Sequence, residues 1–523
     1  DQFGFGYAIA KPRKTYLATA IDEYLHGLPI AVVATEAPGC HLDEPDAAES
    51  TAAVTYHNRI SRIVQFHCVE CHREGGVAPF SLESHADVVA HAAMIETVVE
   101  RGTMPPWFAA PGAEEEPSPW RNDRSLATED KRDLLDWLAG DRNAGDPSDA
   151  PLPIRFPTGW TIGEPDLVVQ FPEAIPVQAT GVMDYEHTSV ELDLAEDKWV
   201  ERIEIRPGAP EVVHHILVFV RSPGDESRRR RRGADDGISY WGIYVPGNSK
   251  QVYPQGYARK LPAGSTLIFQ LHYTPNGTAT EDRTQVGFVF ADREPDYEVK
   301  TASLVNSWFE IPPGADDHTD YAKVRLPEDI TVLGFLPHMH LRGKACNYEA
   351  FFPDGEQELL LDIPHYDFNW QLLYQLAEPR RFKEGTVITF NATFDNSADN
   401  PANPDPNAAV RWGEQTYDEM IVGYLEYFVP AGQGGDRPSL TGDREQTYFT
   451  VLDEDNDNRL AVAEFQKFGE KGRARDLNPV TSVFIFKALD ADGDGLLTID
   501  EFRNLGEMFR RQRRGGNRRD RDS

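Results

Sequence analysis

The sequence predicts a multidomain, mainly β protein. A small α-helical unit should come first, then two tandem antiparallel β-sandwiches of jelly-roll type, then an α-helical pair. Three observations predict this. At 523 residues the chain is too long for one hydrophobic core. Its 38 prolines and 41 glycines favour short strands and frequent turns over long helices. Between residues 160 and 432, short apolar alternations recur, separated by Pro, Gly, Asn and Asp.

Composition excludes several classes. A net charge of −34 sets nucleic acid aside as the main partner. Arginines at 228–232 and again at Arg510, Arg511, Arg513, Arg514, Arg518, Arg519 and Arg521 read as a solvated loop and a basic disordered tail over 511–523. Four cysteines are too few for a disulfide scaffold. No apolar run is long enough to span a membrane. The chain opens on Asp1-Gln2-Phe3-Gly4, so a fragment or processed product is expected and a missing targeting signal carries no weight.

Residues 1–45 contain one amphipathic helix, with Tyr16/Leu17, Ala20/Ile21 and Tyr24/Leu25 at helical spacing and Gly27 as its stop. The run from Lys11-Pro12-Arg13 through Tyr16-Leu17 to Gly39-Cys40 resembles the C-terminal end of thioredoxin-like redoxin domains, and 1–45 is read as a remnant of one.

Residues 50–142 form the first complete unit. A helix around residues 59–67 leads into Cys68-Val69-Glu70-Cys71-His72, the spacing of a c-type haem attachment site. Each thiol would form a thioether with a haem vinyl group, and His72 would ligate the iron. Met104, in Arg101-Gly102-Thr103-Met104-Pro105-Pro106-Trp107, is the expected sixth ligand, and a thioether there suits electron transfer. Met94, the competitor, falls in a helical pattern and is assigned to the core. The unit resembles a small cytochrome c domain, closed by a helix over 129–138. The acidic, proline-bearing stretch 109–125 reads as a surface loop, and 143–159 as a linker.

The β region gathers metal donors. His214 and His215 interrupt the apolar run Val212-Val213-His214-His215-Ile216-Leu217-Val218-Phe219. Neighbours on a plain strand point to opposite faces, so the pair alone reads as structural. His272 stands in Gln270-Leu271-His272-Tyr273, on a strand over 266–273 whose Leu267, Phe269 and Leu271 share the opposite face. Strands also follow over 331–341, with His338 and His340, and over 387–394. His-x-His puts two imidazoles on one strand face. Met420 follows Asp418-Glu419. A thioether among imidazoles selects copper, Cu(I) above all, and speaks against a zinc hydrolase.

In this order, His214-His215, then Gln-x-His-Tyr, then His-x-His, then Asp-Glu-Met resembles the copper type II ascorbate-dependent monooxygenases, over residues 160–430. The resemblance implies two sandwiches, over 160–300 and 301–432, each carrying one copper. His214, His215 and His272 would hold an electron-transfer copper. His338, His340 and Met420 would hold the O2-activating copper, with Tyr424 as a further catalytic position. For an adjacent pair to share a metal, the strand must twist or bulge there. Where peptide-amidating members carry an Arg and an Asn, this chain has Leu336 and Val422; only Cys346 lies in a region where those members use several disulfides.

Residues 443–510 hold two EF-hand loops. Asp453, Asp455, Asp457, Arg459 and Glu464 are the calcium-binding positions of the first, and Asp490, Asp492, Asp494, Leu496, Thr498 and Glu501 those of the second. Gly495 fills the sixth position of the second loop, whereas the first has Asn458. Structural use of calcium is favoured over sensing.

The expectation is a copper-dependent monooxygenase that hydroxylates a C–H bond of a small-molecule or peptide substrate with O2. Two copper ions, haem c and calcium would be its cofactors. Haem would feed electrons inward, and an ascorbate-like compound or a redox protein would supply them from outside. A non-hydroxylating copper and haem electron-transfer protein is the alternative. Haem c is attached outside the cytoplasm, so a periplasmic or extracellular location is expected.

Overall fold

The computed structural model describes residues 3–4, 7–8, 15–28, 30–32, 53–112, 117–157, 159–223, 238–432, 440, 444–471 and 479–505. Lys11-Pro12-Arg13, Gly39-Cys40, the arginine run at 228–232 and the basic tail lie outside them. The chain divides into two units, 1–54 and 55–523. In the first, Phe3–Gly4 pairs with Tyr7–Ala8, and the helix Tyr16–Leu25 buries none of its residues. Gly27 follows with φ +67°, where glycine alone is unstrained.

The second unit opens with helices. Thr55 and Asn58 form a capping box ahead of Tyr56–Ile60 and Ser61–His67, which deliver the chain to Cys68. His85–Ala90, Ala92–Glu100 and Thr128–Ala139 complete this part, around a core that includes Ile60, Val64, Leu82, Val88, Val99, Leu134 and Leu138. Two expectations are corrected here. Met94 is on the Ala92–Glu100 helix but 53% exposed, because Ile95 and Val99 take that helix's inner face. The stretch expected as a surface loop over 109–125 is anchored among its described residues: Trp120 is only 7% exposed and, with Ala109, belongs to the core of the second β half. Arg121 N donates to Gln375 O at 2.8 Å, Ala377 N to Pro119 O at 2.8 Å and Ala110 N to Asp362 O at 2.8 Å. Burying Trp107, Phe108 and Trp120 outweighs the polarity of the acidic residues between them.

The β region has one nine-stranded sheet running through both halves. Its order is Tyr374–Phe382, Ile330–His338, Val422–Pro430, Tyr297–Val305, Tyr257–Leu261, Lys198–Arg206, Gln285–Phe290 and Leu167–Gln170, with Lys250–Val252 also on Lys198–Arg206. The halves join where Tyr257–Leu261 pairs in parallel with Tyr297–Val305. That strand crosses residue 300, where a boundary between two sandwiches was expected. Each half adds a four-stranded sheet: Glu186–Glu191, Thr266–Tyr273, Val213–Arg221 and Ile238–Tyr244 in the first, and His318–Arg325, Val387–Phe394, Gly343–Phe351 and Gln357–Ile363 in the second. The strand expected over 331–341 is Ile330–His338.

Side-chain alternation sorts residues between cores and junction. On Thr266–Tyr273, Leu267, Phe269, Leu271 and Tyr273 enter the first core. A second set, including Leu217, Tyr240, Ile243, Leu336, Val422 and Tyr424, packs between the halves. Buried Arg259 reinforces the junction, donating to Tyr240 O at 2.9 Å, Trp241 O at 2.8 Å and Thr301 Oγ1 at 2.7 Å. A buried guanidinium needs such partners.

Candidate metal centres

The histidine strand Val213–Arg221 bulges where a shared metal would require it. His272 pairs with His215 but Tyr273 pairs with Val213, which leaves His214 as the extra residue. Val213 and Ile216 enter the first core, while Leu217 and Phe219 face the junction. The bulge brings His214 and His215 together, with their Nδ1 atoms 3.1 Å apart. One ring nitrogen each from His214, His215 and His272 lie within 4.8 Å of one another. Asn369 Oδ1 accepts from His214 Nε2 at 3.1 Å, which leaves the lone pair on Nδ1. His215 Nε2 and His272 Nδ1 are buried and have no hydrogen-bond partner among the described residues. Burial holds His215 well below the usual imidazole range, with neighbouring imidazoles adding to it, and lowers His272 to about 3. The rings are therefore neutral, as ligands must be.

Across the junction, Leu336, His338 and His340 alternate with Phe335 and Met339, which enter the second core. His338 Nδ1 donates to Gln371 Oε1 at 2.7 Å and His340 Nδ1 to Asp418 O at 3.3 Å. Burial lowers His338 to about 4 and holds His340 well below the usual imidazole range. Glu419 ties this histidine pair to Met420. Its buried carboxylate accepts from His340 N at 2.8 Å, Arg342 N at 2.7 Å and Met420 N at 3.3 Å. Burial raises it to about 7, and those amides oppose the rise. Met420 packs with the junction cluster, and Tyr424 lies within it, its ring stacked on Tyr240 at 4.5 Å.

The two donor sets face each other over shared aromatic rings. Tyr185 lies 5.4 Å from His215 and 6.3 Å from His340 between centroids, and Phe368 lies 6.2 Å and 6.0 Å from the same pair. Sequence reading missed Tyr185, Phe368, Asn369 and Gln371, which stand in no donor motif. It quoted Glu419 only as an acid before Met420. Glu419→Ala is expected to destabilise the fold by about 3–5 kcal/mol, because several buried amides lose their shared acceptor. Denaturant unfolding checks it, and a loss below about 1 kcal/mol contradicts this role for the carboxylate.

At the haem-type motif, His72 Nδ1 donates to Phe80 O at 3.2 Å, leaving Nε2 for a ligand. Burial pushes the Cys68 thiol up to about 12 and raises Cys71 as well. A redox Cys-x-x-Cys has a lowered thiol, and burial here acts in the opposite direction. Met104 sits in the loop after Ala92–Glu100, its amide 3.3 Å from Val98 O.

Both EF-hand loops converge: Asp453, Asp455 and Glu464 in one and Asp490, Asp492 and Glu501 in the other each bring oxygens within 4.8 Å. Asn458 and Gly495 take φ +67° and +85° at the sixth positions. Asp457 Oδ1 accepts from Arg459 N at 2.7 Å, and Asp494 Oδ1 from Leu496 N at 2.9 Å. Arg459 also reaches across to Asp494 Oδ2 at 2.5 Å, and Thr498 Oγ1 donates to Glu501 Oε2 at 2.8 Å. The first loop docks on the strand His318–Arg325. Arg325 Nη2 donates to Asp453 Oδ2 at 3.1 Å, and Lys323 Nζ to Asp453 O and Asn456 Oδ1, both at 3.0 Å. Asp453 Oδ1 stays buried without a hydrogen-bond partner among the described residues. Arg325→Gln is therefore expected to change calcium binding at the first loop only, by about tenfold, since a hydrogen bond from a charged donor is worth about 1.5–3 kcal/mol. Calorimetric titration resolves the two loops, and equal changes at both would contradict docking through Asp453.

Fold and site together define a β protein with two facing sets of copper-type donors and a calcium-binding helical pair. The comparisons agree with that class. Residues 316–439 match the C-terminal domain of the copper type II ascorbate-dependent monooxygenases, and 444–514 match an EF-hand domain pair. Two curated relatives are similar at low identity. DBH-like monooxygenase protein 1 of Gallus gallus is 27% identical over 180 residues, 31% of this chain and 28% of that protein. Putative DBH-like monooxygenase protein 2 of Homo sapiens is 24% identical over 241 residues, 41% of this chain and 47% of that one. The chain thus spans less than half the length of each. Among solved structures, the major capsid protein P2 of bacteriophage PM2 overlaps 51% of this chain and 100% of its own at 10% identity and a TM-score of 0.20, too low to bear on the fold. Among the described residues, no helix is long and apolar enough to cross a membrane.

Proposed function

We propose that the chain is a copper-dependent monooxygenase that inserts one oxygen atom of O2 into a C–H bond of an organic substrate. The observation that carries this reading is the placement of both donor sets on facing surfaces over Tyr185 and Phe368. Copper bound at these sets would supply one-electron redox chemistry and, with open coordination positions, activation of O2. His338, His340 and Met420 would hold the catalytic ion, and His214, His215 and His272 the electron-transfer ion. Gln371 and the Asp418 carbonyl fix the tautomers of His338 and His340, so that each offers Nε2. Glu419 holds the backbone of His340 and Met420 together. Tyr185 and Phe368 each pack against a histidine of both sets. Leu336 and Val422 offer neither a cation nor an amide at the junction, so a substrate anchored by a carboxylate is not expected.

Cys68, Cys71 and His72 would hold a covalent haem c, with Met104 as a further ligand, and the group would supply one-electron redox chemistry. An ascorbate-like compound or a redox protein would be the external electron donor. A periplasmic or extracellular location follows from haem attachment. The test uses the full chain loaded with copper, reduced and exposed to O2 with a substrate panel. The expected result is O2 uptake coupled to a product heavier by one oxygen atom, lost in His338→Ala. Copper that binds stoichiometrically but supports no O2 uptake with any reductant would overturn the reading.

A further inference from the structure

We propose that the haem-attachment loop is docked as a fixed electron port on the first β half, with Gly247 and Tyr244 bridging Cys71 to the histidine strand and Arg124 latching the contact. The inference rests on the haem and copper assignments above and adds the route between them. Val245, Pro246, Gly247 and Asn248 form a tight turn, with Val245 N donating to Asn248 O at 3.0 Å and Asn248 N to Val245 O at 2.8 Å. Proline then glycine at φ +80° suits the central positions of such a turn. The tip abuts the haem motif: a methyl group added to Gly247 would lie 3.2 Å from Cys71 Sγ and 3.1 Å from Arg124 Nη1. Arg124 Nη2 donates to Gly247 O at 2.6 Å.

Tyr244 leads from this turn to the copper set. Its strand pairs with Val213–Arg221, and Tyr244 lies opposite Ile216, the residue after His215. The Tyr244 ring is buried, its hydroxyl has no hydrogen-bond partner among the described residues, and the Cys71 thiol is close enough to perturb it. From Cys71 the route crosses to Gly247 over a gap that one added methyl group would fill, then follows the backbone to Tyr244, the sheet pairing to Ile216 and one peptide to His215. Residues 117–125 are meanwhile bonded to the second half through Arg121, Asn122 and Trp120, so the haem unit is held from both sides. In the step assigned to this route, one electron leaves ferrous haem and reduces cupric copper to cuprous. Ferric haem remains until the external one-electron donor reduces it.

The test measures electron transfer without turnover. The full chain is prepared with haem and copper, both quantified. Under anaerobic conditions the haem is reduced in a rapid photochemical pulse, and its reoxidation by cupric copper is followed in the Soret band. Wild type should show a phase independent of protein concentration, absent in His215→Ala. Arg124→Ala should slow that phase by about tenfold, as expected for losing a hydrogen bond from a charged donor, while Arg124→Lys recovers part of it. Gly247→Ala, whose methyl meets Cys71, is a second probe and should slow it as well. With both cofactors in place, unchanged rates in Arg124→Ala and Gly247→Ala, or a concentration-dependent phase in wild type, overturn the port alone. Absence of covalent haem, or of copper at the histidine set, overturns the underlying reading too.

Discussion

Met420→Ala is expected to lower product formation by more than about a hundredfold while copper at His214, His215 and His272 is retained. Loss of a supporting partner around a metal ligand already costs about ten- to a hundredfold, and this change would remove a ligand itself. The backbone argues that the effect should stay local. Met420 N and His340 N share the Glu419 carboxylate, and an alanine keeps both amides. Elemental analysis of the variant should therefore show about half the copper of wild type, at the ratio of one lost site in two. Oxygen uptake measured on the same sample separates the outcomes. Unchanged turnover would remove Met420 from the catalytic set. Loss of all copper would mean that the two donor sets do not load independently.

Trp120→Ala is the second large effect, and it reads out as stability. Trp120 is 7% exposed, with its ring 5.8 Å from Tyr374 and 6.4 Å from Phe335. Truncating a buried tryptophan costs about 3–5 kcal/mol. Much of the cost should fall on the attachment of residues 117–125 to the edge strand Tyr374–Phe382. Chemical denaturation gives the magnitude, and hydrogen exchange at Arg121 and Ala377 should speed up with it. A change below about 1 kcal/mol would mean that backbone pairing alone holds this segment.

The strands were readable in the sequence, because they rest on local periodicity. Thr266–Tyr273 and Val387–Phe394 were expected with their observed ends, and the face of Leu267, Phe269 and Leu271 is the core face. The adjacent His214 and His215 foretold a bulge, since no regular strand turns two neighbours to one side. What stayed hidden is long-range. Phe368, Asn369 and Gln371 sit in a connection with no periodic pattern, and only the fold brings them to the histidines. The stretch 109–125 misled because its acids were weighed and its tryptophan was not. Arg124 and Gly247 meet although they stand 123 positions apart in the sequence, a pairing that no local pattern signals.

The parallel pairing of Tyr257–Leu261 with Tyr297–Val305 also bears on how the protein can be handled and how it can move. A cut between the halves would not separate two finished bodies; it would strip each of a neighbour and leave raw sheet edges that invite aggregation. Neither half is a sensible candidate for expression alone. For the same reason, hinge opening between the donor sets would have to tear a hydrogen-bonded ladder. Their separation is then set by the weave of the sheet, and traffic of substrate and product falls to side chains and loops around the rim.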